Sequence, residues 1–400
     1  MYDAVVVGAR CAGASIAMLL ARRGHRILMI DKDSRGTDMA HSTHFVQPIA
    51  VSKLRKWGLL SALEAVCPAF DSYSLDFGVA HVIGMPPAVD GDSRAFCPRR
   101  DVLDPILVEG AELAGVEYQP DIKVVGLLRN SEGIAGVTTV NAADIQRDIR
   151  SRIVIGADGP GSTVAKEVDA EQYHEAPAQQ ATVWGYWSGV SSTALEMYFS
   201  PGRAVYSGPT SGNETLVGVN WVIDDFKENR SDIETNYSEV VEKLAPALAA
   251  QMKVGRLSTR LRIGSTRNFL RIPYGPGWAL VGDAGHKKDP CTAQGITDAF
   301  IDADDCATVI DNGLRNPDQL MTGLAEWHRK RDERLIPLHE MTIQMAKFRA
   351  PDDDEIALYR ALEGNREATT QFLGLITGAT NPNEFFDPLN IRSIINGYAP

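Results

Sequence analysis

The first 31 residues constrain the fold of this chain more than any later segment does. The β-branched run at 3–7 predicts a buried strand, and small and apolar residues recur at helical spacing over 12–23. A turn with glycine at positions 8 and 13 joins them, and the segment RILMI at 26–30 predicts a second buried strand. Strand, glycine turn, helix and strand in this order predict a βαβ unit with parallel strands.

The glycine turn has the residue pattern of a phosphate-binding site. Gly8 allows the tight turn, and Gly13 lets the helix pack closely against the strand. Cys11 and Ala12 begin the helix, where free N–H groups and the positive end of the dipole favour a pyrophosphate. Arg10 stands where the pattern has its second glycine, which is compatible with binding if the side chain points away or covers the pyrophosphate. We therefore predict a dinucleotide site at this turn.

An acidic residue completes the pattern. Asp31 directly follows the second predicted strand, 23 residues after Gly8 (31 − 8), and Lys32 comes next. This is close to the spacing at which a carboxylate accepts a hydrogen bond from a ribose hydroxyl of the dinucleotide. The acid alone is compatible with NAD and with FAD.

Charge and cysteine content exclude several classes of partner. The 400-residue chain has a formal net charge of −12, so its surface repels nucleic acid. Its five cysteines include no CxxC pair, which argues against a disulfide framework or a metal site and fits a reducing compartment. No apolar run reaches the roughly 20 residues of a membrane span. We expect a cytoplasmic protein without a metal, a signal peptide or a membrane span.

The sequence pattern changes in the middle of the chain. Aromatic and β-branched residues with intervening turn clusters predict an antiparallel sheet over 182–222. We expect a discontinuous nucleotide-binding domain (1–70, 96–170 and 272–400) and a substrate domain (71–95 and 171–271). Helices are predicted at 48–57, 59–66, 100–113, 295–310 and, with Asn316 as N-cap, 317–335, and a capping box at Ser231 and Glu234.

Three later motifs distinguish between the two dinucleotides. They are RDVLD at 100–104, GADGPGS at 156–162, and VGDAGH at 281–286, which is followed by DP at 289–290 and QGI at 294–296. Together with the first turn, they resemble the FAD-dependent aromatic hydroxylases of the p-hydroxybenzoate hydroxylase type, the class A flavoprotein monooxygenases. Ser42-Thr43-His44 and the segment from 282 to 299 resemble a bacterial branch of this family. The resemblance covers most of the chain and is weakest over 170–271 and after 348.

The resemblance implies a fold and a set of cofactor contacts. The fold is α/β: a Rossmann-like FAD-binding domain, an inserted antiparallel-sheet substrate domain and a helical C-terminal tail. Asp31 would bind the adenosine ribose, Arg100 the pyrophosphate or ribityl chain, and Asp283 a ribityl hydroxyl. Val125 would contact adenine through its backbone. The full set of expected FAD-binding residues is Gly8, Arg10, Cys11, Ala12, Gly13, Asp31, Lys32, Arg100, Val125, Asp158, Gly159, Gly282, Asp283, Pro290, Gly295 and Ile296.

The helix that begins at Gly295 has a specific expected role. Its free N–H groups, after the turn at Pro290, would face the N1–C2=O edge of the flavin, which is anionic when the flavin is reduced. Gly295 permits close approach of the ring, and Ile296 lies beside it. His286 and Cys291 are interpreted as structural residues.

The resemblance also implies the reaction. NADH or NADPH would reduce FAD, O2 would add at flavin C4a, and the hydroperoxide would hydroxylate or epoxidise an organic substrate. We expect an aromatic or polycyclic small molecule, because the predicted sheet is rich in aromatic residues. The expected pocket residues are Trp187, Tyr198, Tyr206 and Trp221.

Other functions share this fold and stay open. A prenyl-chain reductase of the geranylgeranyl type would reduce double bonds without O2, and an FAD-bearing subunit of a biosynthetic complex would bind substrate without turnover. A flavin-dependent halogenase would require a W-x-W-x-I-P motif, which Trp184-Gly185-Tyr186-Trp187 does not match. The sequence identifies no catalytic residue, and it leaves open a separate reductase partner and a homodimer.

Overall fold

A computed structural model describes residues 1–37 and 44–397 of the chain. Its strands are β1 (Tyr2–Val7), β2 (Ile27–Ile30), β3 (Ala69–Phe70), β4 (Tyr73–Asp76), β5 (His81–Gly84), β6 (Ala95–Phe96), β7 (Glu117–Gln119), β8 (Ile122–Asn130), β9 (Gly133–Asn141), β10 (Gln146–Gly156), β11 (Gln172–Ala176), β12 (Gln180–Ser188), β13 (Leu195–Ser200), β14 (Arg203–Thr210), β15 (Glu214–Val222), β16 (Arg256–Leu257), β17 (Arg262–Ser265), β18 (Asn268–Arg271), β19 (Tyr274–Gly275), β20 (Trp278–Leu280) and β21 (His286–Lys287). Its helices are α1 (Cys11–Arg22), α2 (Pro48–Lys56), α3 (Leu60–Glu64), α4 (Arg100–Leu113), α5 (Thr163–Glu167), α6 (Ile223–Asn229), α7 (Ile233–Leu244), α8 (Pro246–Val254), α9 (Gly295–Arg315), α10 (Leu320–Met345), α11 (Asp353–Glu363), α12 (Arg366–Thr377), α13 (Pro382–Phe385) and α14 (Pro388–Gly397).

A mainly parallel sheet carries the predicted βαβ unit. Its strand order is β19-β20-β10-β1-β2-β7, and β1 pairs in parallel with β10 on one side and β2 on the other. Helices α1, α4 and α9 cover one face, and β8, β9 and α5 cover the other. Because both faces are buried, the central strands are continuously apolar, which is why the run at 3–7 was readable as a buried strand.

The antiparallel sheet predicted over 182–222 is present. Its order is β16-β12-β15-β14-β13-β4-β5, and β12, β15, β14 and β13 pair antiparallel to one another. The early strands β4 and β5 join it through the parallel pair β13–β4. This confirms the expected fold class: α/β, with an inserted antiparallel sheet and a helical C-terminal region.

The two faces of this antiparallel sheet are covered by different helices. Val183, Val217 and Val219 pack with α7 and α8, whereas Trp184 and Leu216 pack with α11, α12 and α14. The last helices therefore share a hydrophobic core with the antiparallel sheet. The domain boundaries stay a prediction, and this packing favours assigning the last helices to the sheet-bearing part of the molecule.

Two predicted helix starts differ from the structure. The side chain that caps α7 is that of Asp232, which accepts a hydrogen bond from Thr235, so the capping box at Ser231 was wrong by one position. Asn316 makes no side-chain cap, because a 3₁₀ turn at Pro317–Gln319 precedes α10. Residues 42 and 43, part of the resemblance above, lie outside the described residues.

Within the described residues, every helix is too short or too polar to cross a lipid bilayer.

A substitution at Gly13 tests how closely the first turn is packed. A Cβ at this position would overlap the carbonyl oxygen of Gly8, which is backbone and cannot rotate away. We expect Gly13→Ala to lower the free energy of unfolding by about 2–3 kcal/mol or more, as over-packing does. Gly161→Ala is the control, since nothing lies within 4 Å of a Cβ there. Urea denaturation of both variants measures the difference, and equal stabilities would contradict the packing argument.

Candidate active site

An elongated cavity of about 480 Å³ opens at the carboxyl ends of the parallel strands. The residues that follow β1, β2, β10 and β20 line it, as expected for a ligand site in an open α/β sheet. The sequence-predicted residues that line it are Gly8, Arg10, Cys11, Ala12, Asp31, Lys32, Arg100, Asp158, Gly159, Gly282, Asp283, Pro290, Gly295 and Ile296.

Two predicted residues are not among those that line the cavity. Gly13 lies behind the turn, where it lets α1 approach the Gly8 carbonyl. Val125 is about one-third exposed on β8, while the three preceding residues, at 122–124, line the cavity. The turn-packing role expected of Gly13 therefore fits its place, and the adenine contact of Val125 stays a prediction about its backbone.

The first turn presents its backbone to the cavity. Gly8 has φ +100°, and a Cβ there would overlap the carbonyl oxygen of Ala157, so the position requires glycine. No side chain caps the start of α1, where Cys11 and Ala12 line the cavity. The N–H groups of this helix end are thus directed to a ligand, which fits a pyrophosphate.

Paired charges hold the arginines of the site in place. Arg10 bridges Asp33 (3.1 Å) and Asp104 (3.2 Å), which turns its side chain to one side of the turn. Arg100 is buried and donates from Nε and Nη2 to Asp104 at 2.7–3.0 Å. Arginine at the second glycine position is accommodated because these carboxylates bind it.

Asp31 marks one end of the cavity. Its Oδ2 accepts a hydrogen bond from the backbone N–H of Ala9 (2.6 Å) and its Oδ1 from that of Asp33 (2.9 Å). Burial raises the pKa of Asp31, and these backbone hydrogen bonds oppose the rise. The carboxylate is fixed beside the turn, where a ribose of a nucleotide bound there would lie.

The two later aspartates have protein partners of their own. Oδ2 of Asp158 accepts from the backbone N–H of Thr163 (2.6 Å), while its buried Oδ1 has no hydrogen-bond partner in the part of the chain that the structure describes. Asp283 accepts from Nζ of Lys287 (2.6 Å). Sequence reasoning missed Lys287, although it lies within the GDAGHKKDP segment that carries the resemblance.

The far end of the cavity is formed by the start of α9. Ala293 adopts a left-handed conformation (φ 52°), which redirects the chain into the helix, and Gln294 is an N-cap whose side chain does not cap. A Cβ at Gly295 would meet nothing within 4 Å. Lys288 and Asp298, neither of which was predicted, also line this end. A flat ring can therefore approach this helix start closely.

A buried histidine pair adjoins the same end. His286 lines the cavity, and its Nε2 lies 3.3 Å from Nδ1 of His339, whose Nε2 lies 3.0 Å from the carbonyl oxygen of His174. Burial and the positive charge of Lys288 lower the pKa of His286 well below its usual value. Burial lowers the pKa of His339 to about 4. Both rings are thus neutral at pH 7.

The antiparallel sheet places the four residues predicted for the substrate pocket on different faces. Trp187, Tyr198 and Trp221 pack with α7 and α8, on the face that is turned away from the cavity. Tyr206 alone of the predicted four lies on the opposite face, with Trp184 and Tyr186. The aromatic content was visible in the sequence, but the face that each residue occupies depends on a register that the sequence did not reveal.

A small second cavity lies between this face and the end of the main cavity. Phe45 and Ala293 line both cavities. The side chains of Tyr206 and Asn220 approach the second cavity from the sheet, and Ile376 of α12 closes it. His44 lines the main cavity nearby, and its Nε2 is hydrogen-bonded to the hydroxyl of Tyr186. The aromatic side chains of Phe45 and Tyr206 and the polar side chains of His44 and Asn220 therefore lie near the start of α9.

Comparison with known proteins agrees with this site. The model of a family described as an FAD binding domain matches residues 1–331. A digeranylgeranylglycerophospholipid reductase of Methanococcoides burtonii is 26% identical over 317 residues, which cover 75% of this chain and 72% of the relative. A 6-methylpretetramide 4-monooxygenase of Streptomyces rimosus is 25% identical over 365 residues, covering 86% and 84%.

Solved structures share the fold over nearly the whole chain. The flavin-dependent brominase Bmp2 superposes with a TM-score of 0.83 at 16% identity, covering 99% of this chain and 98% of its own. PqsL, a probable FAD-dependent monooxygenase from Pseudomonas aeruginosa, gives 0.72 at 20% identity, covering 93% and 99%. At these identities the likeness shows the fold alone.

The histidine pair predicts a pH dependence of stability. A neutral buried His339 with a pKa of about 4, against about 6.5 when unfolded, stabilises the fold fully above pH 6.5 and less as the pH falls toward 4. The free energy of unfolding that is lost through protonation of the unfolded chain at this histidine reaches about 3 kcal/mol. Asp289 and Asp302, whose pKa values burial raises to about 6, act in the opposite direction, so only a difference between variants isolates the histidine.

We expect His339→Gln to be less pH-sensitive than wild type. The stability advantage of wild type over this variant should shrink by about 2–3 kcal/mol between pH 7 and pH 4.5 in urea denaturation. The control is His81→Gln, at an exposed position. The difference in free energy of unfolding between this variant and wild type should not change with pH. Parallel curves for His339→Gln would refute the assignment.

Proposed function

The chain belongs to the FAD-binding-domain family and is an FAD-dependent oxidoreductase; from that premise we propose that it is a monooxygenase of an aromatic or polycyclic small molecule. NADH or NADPH would supply the electrons and O2 the oxygen atom. Hydroxylation or epoxidation are the reactions that this site would support. All five cysteines are buried and the sequence has no CxxC pair, which supports a cytoplasmic location as part of the same proposal.

One observation carries this proposal. The hydroxyl of Tyr206 is buried and has no hydrogen-bond partner among the described residues, and it lies on the pocket face of the sheet. An unpaired buried hydroxyl costs about 1–3 kcal/mol, which a polar substituent of a bound ligand would recover. A phenol, quinone or ketone could provide that substituent, whereas the hydrocarbon of a prenyl chain could not.

Two of the named proteins agree with this substrate class. PqsL was solved with 2-aminobenzoylacetate, a small aromatic molecule, and the Streptomyces rimosus relative is named for a monooxygenase activity on 6-methylpretetramide. Both proteins share the fold or the sequence pattern of this chain over most of its length. They support an aromatic substrate without identifying it.

We propose that each segment of the cavity binds a different part of FAD. The N–H groups at Cys11 and Ala12 would hold the pyrophosphate, and Asp31 the adenosine ribose. Asp283 would accept a hydrogen bond from a ribityl hydroxyl, and the start of α9 would bind the edge of the flavin ring that is anionic in the reduced state. FAD supplies O2 activation after its reduction, and the chain supplies position and exclusion of water.

A second function has its own support. The Methanococcoides burtonii relative is named as a digeranylgeranylglycerophospholipid reductase and is slightly more identical than the monooxygenase relative, over a smaller share of this chain. Such an enzyme would saturate double bonds and would not need O2. The two functions therefore differ in one measurable requirement.

The first test is the oxygen requirement. Bound FAD should be reduced anaerobically by NADPH or NADH, faster in the presence of one member of a panel of phenols and quinones. Admitting isotope-labelled O2 should then yield product that carries the label. Anaerobic saturation of a geranylgeranyl lipid, with no labelled product from any aromatic, would replace the proposal by the reductase alternative.

Tyr206→Phe tests the substrate contact. Removal of the hydroxyl should weaken binding of the best panel ligand about tenfold, the value of one hydrogen bond of about 1.4 kcal/mol. The free energy of unfolding should stay equal or rise, because an unpaired buried group is lost. Fluorescence titration and urea denaturation measure the two quantities.

Tyr237→Phe is the matched control. Its hydroxyl lies on the far face of the sheet, where it donates to the Val217 carbonyl (3.1 Å) and accepts from Trp187 (3.2 Å). We expect it to lower stability by about 1–2 kcal/mol and to leave ligand affinity unchanged. Unchanged affinity in Tyr206→Phe would remove Tyr206 from the site.

A further inference from the structure

A buried lysine lies against the start of α9. The side chain of Lys288 is only 4% exposed, and its Nζ lies 2.5 Å from Oε1 of Gln294 and 2.9 Å from Oδ2 of Asp298. Gln294 is the N-cap residue of α9 and Asp298 lies in its first turn. All three residues line the main cavity. Burying an ammonium group is costly, so its position at a ligand cavity requires a reason.

The ammonium group retains a donor for a ligand. It has three N–H groups, and one of them donates to Oε1 of Gln294. The ion pair with Asp298, at 2.9 Å, occupies a second N–H group. Within the described residues, one N–H group of Lys288 is therefore available to a group inside the cavity.

Lys288 belongs to a network of paired charges. Asp298 also pairs through Oδ1 with Nη1 of Arg334 (3.1 Å), and Arg334 continues to Asp302 (3.0 Å), so two cations pair with two acids. Of these four residues, Lys288 and Asp298 line the cavity. The uncapped start of α9 adds the positive end of its dipole on the same side, where it favours negative charge.

We propose that Lys288 faces the edge of FAD that becomes negatively charged on reduction, and that it raises the reduction potential of the bound flavin. A fixed charge near this edge favours the anionic reduced form over the neutral oxidised form. The inference rests on the proposed placement of FAD along the cavity. It holds equally for an oxygenating and for a double-bond-reducing enzyme.

The test is the midpoint potential of the purified holoenzyme, measured anaerobically without substrate. Lys288→Met should weaken the binding of reduced FAD relative to oxidised FAD at least tenfold, which lowers the two-electron potential by about 30 mV. Asp298→Asn, which removes the opposing charge, should raise the potential. Lys288→Arg, which keeps the charge, should stay near wild type. The exposed Lys330→Met is the control for loss of a distant charge and should not shift the potential.

Opposite shifts in Lys288→Met and Asp298→Asn would support the proposal, because structural damage has no reason to change sign with charge. An unchanged potential in Lys288→Met, or shifts of both variants in the same direction, would overturn it. If Lys288→Met fails to retain FAD, Asp298→Asn decides: a raised potential supports the proposal and an unchanged one overturns it. The midpoint potential can be measured whichever result the oxygen-requirement test gives. A failure of the monooxygenase proposal is therefore distinguishable from a failure of the proposal for Lys288.

Discussion

The architecture depends on a close approach of three backbone segments at the first turn. The carbonyl oxygen of Gly8 occupies the space that a side chain at Gly13 would need, and the carbonyl of Ala157 does the same for Gly8. A Cβ at Gly282 would likewise meet the side chain of Ala12. Because segments from the start, middle and end of the FAD-binding fold touch here with no side chain larger than a methyl group between them, the ends of their strands converge on one cavity.

Within that cavity, charge is placed in pairs. Arg10 and Arg100 share Asp104, and Lys288 and Arg334 share Asp298. Buried charges are tolerated only when they are paired, and Arg10 and Arg334 each pair with a second carboxylate, Asp33 and Asp302. The uncapped starts of α1 and α9 line the same cavity and add the positive ends of their dipoles. An anionic dinucleotide and an anionic reduced ring would both be stabilised there.

The two faces of the antiparallel sheet differ in how their polar groups are hydrogen-bonded. One face forms a closed core with α7 and α8, and its polar groups, such as the hydroxyl of Tyr237, are hydrogen-bonded. The other face carries Tyr206 beside the start of α9, and no group in residues 1–37 and 44–397 forms a hydrogen bond with its hydroxyl. C-terminal helices cover much of this second face. Changes in the last helices would thus alter the substrate side of the site while leaving the far face intact.

The sequence by itself determined the parallel βαβ start, the fold class and most of the residues that line the cavity. These depend on local constraints: a left-handed Gly8, continuous apolar strands, and short motifs directly after strand ends. Only the tertiary structure decided which aromatic residues face the cavity, because a strand exposes alternate residues and its register depends on distant partners. It also decided that Lys288, Asp298 and His339 belong to the same region. Lys288, directly after β21, pairs with Asp298 of α9, and His339 of α10 contacts His286 of β21. No spacing along the chain reports such contacts.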